Sequence, residues 1–164
     1  MDAGLRELYQ EIILDHSRHP RHFGALAKAN HTAEGFNPLC GDRVKIYLTL
    51  DKGNCISDIS FEGKGCAISV ASASLMTEML KGRTIAEAEK LMGGFLHLVK
   101  GEDDKELAAN DREQLEVMAG VSGFPMRIKC ATLAWHEDQE AHILPHQESR
   151  KGNHLSDLFL SHPG

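Results

Sequence analysis

The sequence predicts an α+β domain: a small antiparallel sheet in the first half, with helices at both ends and through the second half. Two patterns carry this. Val44, Ile46, Leu48 and Leu50 alternate with Lys45, Tyr47 and Thr49, the period of a strand with one buried and one wet face. Beyond residue 66 apolar and small side chains recur at helical spacing instead. The junction is FEGKGCAISVASASLMTEM, residues 61–79, which runs from strand through Gly63 and Gly65 into a helix.

The elements follow in order. Leu5, Leu8, Tyr9, Ile12 and Ile13 are spaced as one helical face over residues 4–17, which should dock on the rest of the domain. Pro20 and Gly24 end that helix. The His- and Arg-rich run HSRHPRHFG, residues 16–24, reads as a solvated loop. Residues 31–36 can form a short edge strand. The loop NPLCGD, residues 37–42, precedes the alternating strand. Asp51, Lys52, Gly53 and Asn54 make a hairpin turn, and residues 56–62 return with Ile59 and Phe61 on one face, giving two or three antiparallel strands. Ala67, Val70, Ala71, Ser74, Leu75 and Met79 give a helix with a small-residue face, closed by Gly82. Thr84 and Glu87 form a capping box for a helix carrying Ile85, Ala88, Leu91, Met92, Phe95 and Val99. Leu107, Leu115, Val117 and Met118 belong to one or two short helical pieces, and residues 120–125 read as irregular. A last helix is expected over residues 130–140, with Cys130 at its start. Residues 146–164 read as a polar, mobile tail, with one docked turn at residues 155–160.

Composition narrows the function. A chain of 164 residues suits one domain with a core of useful size. Its 41% hydrophobic and 26% charged residues are ordinary for a soluble protein. A net charge of −6 without a long Lys/Arg run argues against a nucleic-acid partner. No apolar run approaches the roughly 20 residues of a membrane span. Residues 1–12, MDAGLRELYQEI, are amphipathic and acidic and lack the apolar region of a signal peptide. The chain is therefore expected in the cytoplasm, where thiols stay reduced. There Cys40, Cys55, Cys66 and Cys130 read as ligands or nucleophiles rather than as disulfides.

Three of these cysteines stand at breaks between predicted elements. Cys66 falls at a helix start, where unpaired backbone N–H groups and the helix dipole favour a thiolate, the form that binds metal or attacks sulfur. Its flanking glycines let another segment or a metal come close. A structural cysteine in a tight turn would fit the same stretch. Cys40 lies in a loop and Asp42 two residues beyond it, near enough to face the same centre. Three thiolates and a carboxylate suit tetrahedral zinc or an iron–sulfur cluster, and do not suit magnesium or calcium. Cys55, after a hairpin turn, reads as a small hydrophobe. His136 reads as a satisfied surface or core residue. No HExxH pair, phosphate loop or Cys/His nucleophile set is present.

NPLCGD (37–42), GKGCAISVASASLM (63–76), RIKCATLAWH (127–136) and LYQEIILDHSRHPRHFG (8–24) together resemble the NifU/IscU family of iron–sulfur cluster assembly proteins, and its SufU branch in particular. The resemblance covers roughly residues 5–144. It implies a sheet of about three strands with helices packed mainly on one face, a domain over residues 1–145, and convergence of Cys40, Asp42, Cys66 and Cys130 on one exposed metal site. Lys129 stands where IscU-type scaffolds carry histidine. The LPPVK segment of those scaffolds is absent, with Gly123, Phe124, Pro125 and Met126 in that region, and roughly residues 101–123 are inserted between the second and third site cysteines. All three features are similar to the SufU branch.

That branch implies a zinc-bound sulfur acceptor that takes persulfide sulfur from a SufS-type, PLP-dependent cysteine desulfurase. Cys40 would be the acceptor and Arg127, matching an RxKC motif, would support it. The alternative is a scaffold on which a [2Fe–2S] cluster is built on Cys40, Cys66 and Cys130 and passed to apo-proteins or a downstream scaffold. A third reading, from another class, is a zinc-stabilised interaction module. The single carboxylate among the ligands weakens it, because one hard, exchangeable ligand suits a site that opens.

Overall fold

In the computed structural model, which describes residues 3–38, 41–102, 104–105 and 107–143 with side chains through residue 136, the strands form an antiparallel meander in the order β1-β2-β3. These are β1 (His31–Asn37), β2 (Asp42–Leu50) and β3 (Ile56–Lys64). Cys40 and the tail expected over residues 146–164 lie outside the described residues. Register sets Ala33, Ile46 and Phe61 in one row and His31, Leu48 and Ile59 in another. Ala33, Val44, Ile46, Leu48, Ile59 and Phe61 are buried on that inner face. The expected edge strand is therefore real and paired along its length. The hairpin after β2 turns on Asn54, whose φ is 58°, while the Asp51 carboxylate accepts the Gly53 and Cys55 N–H groups at 2.9 and 3.0 Å.

Five α-helices and one 3-10 helix are present among the described residues: α1 (Ala3–Arg18), α2 (Ala67–Leu80), α3 (Ile85–Val99), α4 (Ala109–Leu115), the 3-10 helix Glu116–Val121 and α5 (Pro125–Ile143). Helix α2 is covered almost all round, by the sheet, α1 and α5. Its small polar residues find partners inside. Ser72 Oγ donates to Ala131 O at 2.5 Å and accepts the Trp135 indole N–H at 3.0 Å. The Trp135 ring in turn stacks on Phe95 at 4.3 Å. The expected capping box starts α3, with Thr84 and Glu87 bonded reciprocally.

Three expectations are corrected. The last helix begins at Pro125, not at residue 130, because proline at the first helical position loses no hydrogen bond there. Cys130 thus sits in the second turn rather than at a helix terminus; of residues 120–125, 120–121 end the 3-10 helix and Pro125 opens α5, while 122–124 are irregular as expected. Within α1, Leu5 and Leu8 of the expected face are 37% and 50% exposed; Ile13 of that face does pack on the core, joined by the buried His16. The His- and Arg-rich run is not simply solvated: His16 Nδ1 bonds Ser74 Oγ at 2.8 Å, the Arg21 N–H donates to the same oxygen at 2.8 Å, and His22 Nδ1 bonds Thr77 Oγ1 at 3.1 Å. Residues 22–24 also pair with the free edge of β3, through Phe61 N–H to His22 O and Gly24 N–H to Phe61 O.

Two outcomes follow from this packing. Ser72→Ala strands the fully buried Trp135 N–H without its acceptor, so unfolding by urea should show a loss of about 1–3 kcal/mol. Burial lowers the pKa of His16 below its usual 6.5, with Arg21 adding to the shift and Glu78 and Asp15 opposing it. The unfolded chain then binds the extra proton more readily. The contribution is constant above about pH 6.5, shrinks as pH falls through that value towards the lower folded pKa, and levels off below it. Urea midpoints measured across this range should fall less steeply for His16→Asn than for the unaltered chain.

Candidate metal centre

The inner stripe of β2 does not stop at Val44. One period earlier comes Asp42, which points to the same face and is 1% exposed. Beside it β3 ends at Lys64 and the chain turns through Gly65 into Cys66, the N-cap of α2. Asp42 Oδ1 accepts the Cys66 N–H at 3.0 Å, which satisfies one of the orphan donors of the helix start. Cys66 Sγ accepts the Ser69 N–H at 3.4 Å and lies 4.0 Å from Asp42 Oδ2. Cys66 is exposed to solvent, as expected at the end of a sheet.

Helix α5 brings the other thiol. Cys130, in its second turn and 5% exposed, faces the same point. One ligand atom each from Asp42, Cys66 and Cys130 lies within 4.8 Å of the others. Two sulfurs and one oxygen are a soft, mixed donor set, suited to zinc or iron rather than to magnesium or calcium. Tetrahedral zinc at about 2.0–2.3 Å from such atoms spaces them roughly 3.5–3.8 Å apart, so a closing movement of about 1 Å completes the set. The residues therefore fit a zinc ion.

Cys40 precedes Asp42 by two residues in the sequence and lies outside the described residues; after it, Gly41, at φ 72°, donates its N–H to Asn37 O at 2.8 Å. Cys55 is at the opposite end of β2 from Asp42, beside the hairpin, with its sulfur 3.8 Å from Gly82 O. Arg127 stands on α5 three residues before Cys130, exposed, its guanidinium 4.6 Å from the Phe124 ring centre. His136 is on the exposed side of α5. Sequence reading set Asp42 near the site by proximity to Cys40; the available signal was its phase, since residues 42, 44, 46 and 48 share one face of the strand. It also read Gly65 only as a general allowance for close approach, and that approach proves to be the Asp42 carboxylate itself.

An α+β domain that gathers two thiols and a buried carboxylate from a sheet end and two helices carries a candidate metal centre of the cysteine/aspartate type. The chain belongs to the NifU-like N terminal domain family, whose model matches residues 8–131. It is 41% identical over 134 residues to a zinc-dependent sulfurtransferase SufU of Bacillus subtilis, covering 82% of this chain and 88% of that one. It is 38% identical over 153 residues to an iron–sulfur cluster assembly scaffold protein IscU of Streptococcus pyogenes, covering 93% and 91%. A crystal structure from Fervidobacterium islandicum AW-1, described as an iron–sulfur cluster assembly scaffold protein for the SUF system, superposes with a TM-score of 0.71 at 33% identity, over 86% of this chain and 99% of that one.

The two thiols differ in access, and that is measurable. In metal-free protein a thiol reagent should modify exposed Cys66 at least about tenfold faster than buried Cys130, because reaction needs an accessible thiolate. Mass mapping of the labelled peptides over time checks this.

Proposed function

We propose that this chain is an iron–sulfur cluster assembly protein that works as a zinc-bound sulfur acceptor for a PLP-dependent cysteine desulfurase of the SufS type. The observation that carries the proposal is the meeting of Asp42, Cys66 and Cys130 within 4.8 Å. The similarity to a relative named as a zinc-dependent sulfurtransferase supports it. Cys40, two residues ahead of Asp42 in the sequence, is the fourth ligand and the acceptor. Zinc, when bound, keeps the thiols deprotonated at neutral pH.

The chemistry is thiolate exchange at sulfur. The Cys40 thiolate attacks the outer sulfur of the desulfurase persulfide. A new S–S bond forms on Cys40, the partner's S–S bond breaks, and the partner keeps a thiolate, so no oxidant or reductant is consumed. Cys40 suits the part because the sequence sets it in a loop, next to Pro38 and Gly41, that moves more easily than a helix end. Cys66 is fixed as a helix cap and Cys130 within a helix. Arg127 supports transfer from the rim, three residues before Cys130. Phe36, Phe124 and Met126 are exposed on β1 and at the entrance to α5, the elements that carry or flank the site, and offer apolar area for a docked protein. Among the described residues no helix is long and apolar enough to cross a membrane, and the reading assigns the chain to the cytoplasm, with no nucleic-acid partner.

A second reading has specific support, since the relative from Streptococcus pyogenes is named as a scaffold. In it Cys40, Cys66 and Cys130 hold a [2Fe–2S] cluster for apo-proteins. Lys129, a cation in place of a nitrogen donor beside Cys130, favours zinc. Anaerobic reconstitution with iron and sulfide decides between them, because a stable stoichiometric cluster that displaces zinc supports the scaffold.

Substitutions test the acceptor. Cys40→Ala should abolish stimulation of the desulfurase, read as alanine production, while the melting temperature stays close to that of the unaltered chain. Cys66→Ala and Cys130→Ala should abolish stimulation together with zinc content. Cys55→Ala should change neither. Stimulation by Cys40→Ala at the unaltered rate rules out Cys40 as acceptor.

A further inference from the structure

The turn between β3 and α2 carries two glycines, and they serve different ends. A Cβ on Gly63 would run into the backbone of Arg43 and Val44 on β2, so this glycine serves the sheet. A Cβ on Gly65 would meet no backbone among its nearest neighbours. It would lie 2.5 Å from Asp42 Oδ1, 2.9 Å from Asp42 Cγ and 3.2 Å from Asp42 Cβ. Gly65 does not have a positive φ, so its backbone conformation is open to any residue. The atoms nearest to the missing side chain all belong to Asp42, its carboxylate first.

That carboxylate is confined on every side that matters. It is 1% exposed, its strand position is fixed by pairing with Asn37, and Oδ1 is committed to the Cys66 N–H at 3.0 Å. Oδ2 remains, 4.0 Å from Cys66 Sγ and facing the centre. We propose that Gly65 is a positioning residue: the space left by its absent side chain holds the Asp42 carboxylate so that one oxygen caps α2 and the other alone is offered to metal. Asp42 is then a fixed, one-oxygen ligand and not the exchangeable one. The proposal rests on the metal-binding reading of the same site.

An added methyl at residue 65 displaces the carboxylate, since the three atoms nearest to it all belong to the Asp42 side chain. The Cys66 N–H loses its acceptor and Oδ2 leaves the centre, while the sheet and helices stay. Outer contacts that orient a ligand are typically worth about 10–100-fold in metal affinity. The test is a double-mutant cycle on metal affinity, with no desulfurase present. Apoprotein of the unaltered chain, Gly65→Ala, Asp42→Ala and the double variant is titrated with cobalt(II), read by its thiolate charge-transfer and ligand-field bands. Zinc affinity is then measured by competition with a chromophoric chelator. Gly93→Ala, where a Cβ meets nothing within 4 Å, is the control.

Gly65→Ala should weaken zinc binding by about 10–100-fold, Asp42→Ala by a comparable factor, and the double variant no further than Asp42→Ala alone. Gly65→Ala binding zinc within about twofold of the unaltered chain overturns the proposal, as do additive losses in the double variant, because independent sites add. If Gly65→Ala fails to fold but the double variant folds with the affinity of Asp42→Ala, the carboxylate was the sole obstacle and the proposal stands. If the double variant also fails to fold, the backbone needs the glycine and the proposal falls. An unaltered chain that takes up no cobalt(II) with thiolate bands overturns the metal reading itself, a result distinct from each of these.

Discussion

Helix α2 has almost no side turned to water, and much else in the molecule follows from that. A helix enclosed by a sheet and two other helices must carry small residues, or its neighbours cannot approach. Residues 69–74 are serine, valine, alanine, serine, alanine and serine. Small apolar residues allow the approach, and the serines make it directional. Ser72 reaches α5 through Ala131 O and Trp135, while Ser74 reaches α1 through His16 and Arg21. The Ser72 and Ser74 hydroxyls are both satisfied inside, where an unsatisfied one would be costly. The first of these links ends one residue from Cys130, and α2 begins one residue after Cys66. The separation of the two thiols is thus set by the same contacts that hold the core together.

The sheet supplies the third ligand by a related economy. Inner-face positions of β2 are buried by the pleat, so Asp42 is buried for the same reason as Val44 and Ile46. A buried carboxylate demands partners. One oxygen finds the N-terminus of α2, where backbone donors lack acceptors. Sheet end and helix start are joined at the one place where each has an unmet need.

How much of this could be read from the chain depended on the range of the interactions involved. Alternation along β2, the hairpin at residues 51–54 and the capping box at Thr84 and Glu87 are local, and all were legible. The start of α5 was misread because Cys130 drew attention from Pro125, whose fitness for a first helical position is a backbone effect rather than a pattern of apolar residues. The run from His16 to Gly24 is polar in composition. Its burial depends on hydroxyls of α2 more than fifty residues away, which no local window contains. At the site, the NPLCGD, GKGC and RIKC motifs marked the residues to be gathered, and the α+β resemblance implied that they meet. Which oxygen of Asp42 faces inward, and what Gly65 makes room for, are matters of geometry between segments.

Each described donor of the candidate centre comes from a different part of the chain: Asp42 from β2, Cys66 from the cap of α2, and Cys130 from α5, beyond α3, α4 and the 3-10 helix. The loops that must close to bring them together are long, and the entropy of closing them opposes any early meeting of the ligands. Asp42, Cys66 and Cys130 meet only once the sheet and both helices are packed together. In a small zinc finger the ion organises the fold. Here the hydrophobic core cluster includes none of the three donors, so the packing beneath the site is complete without them.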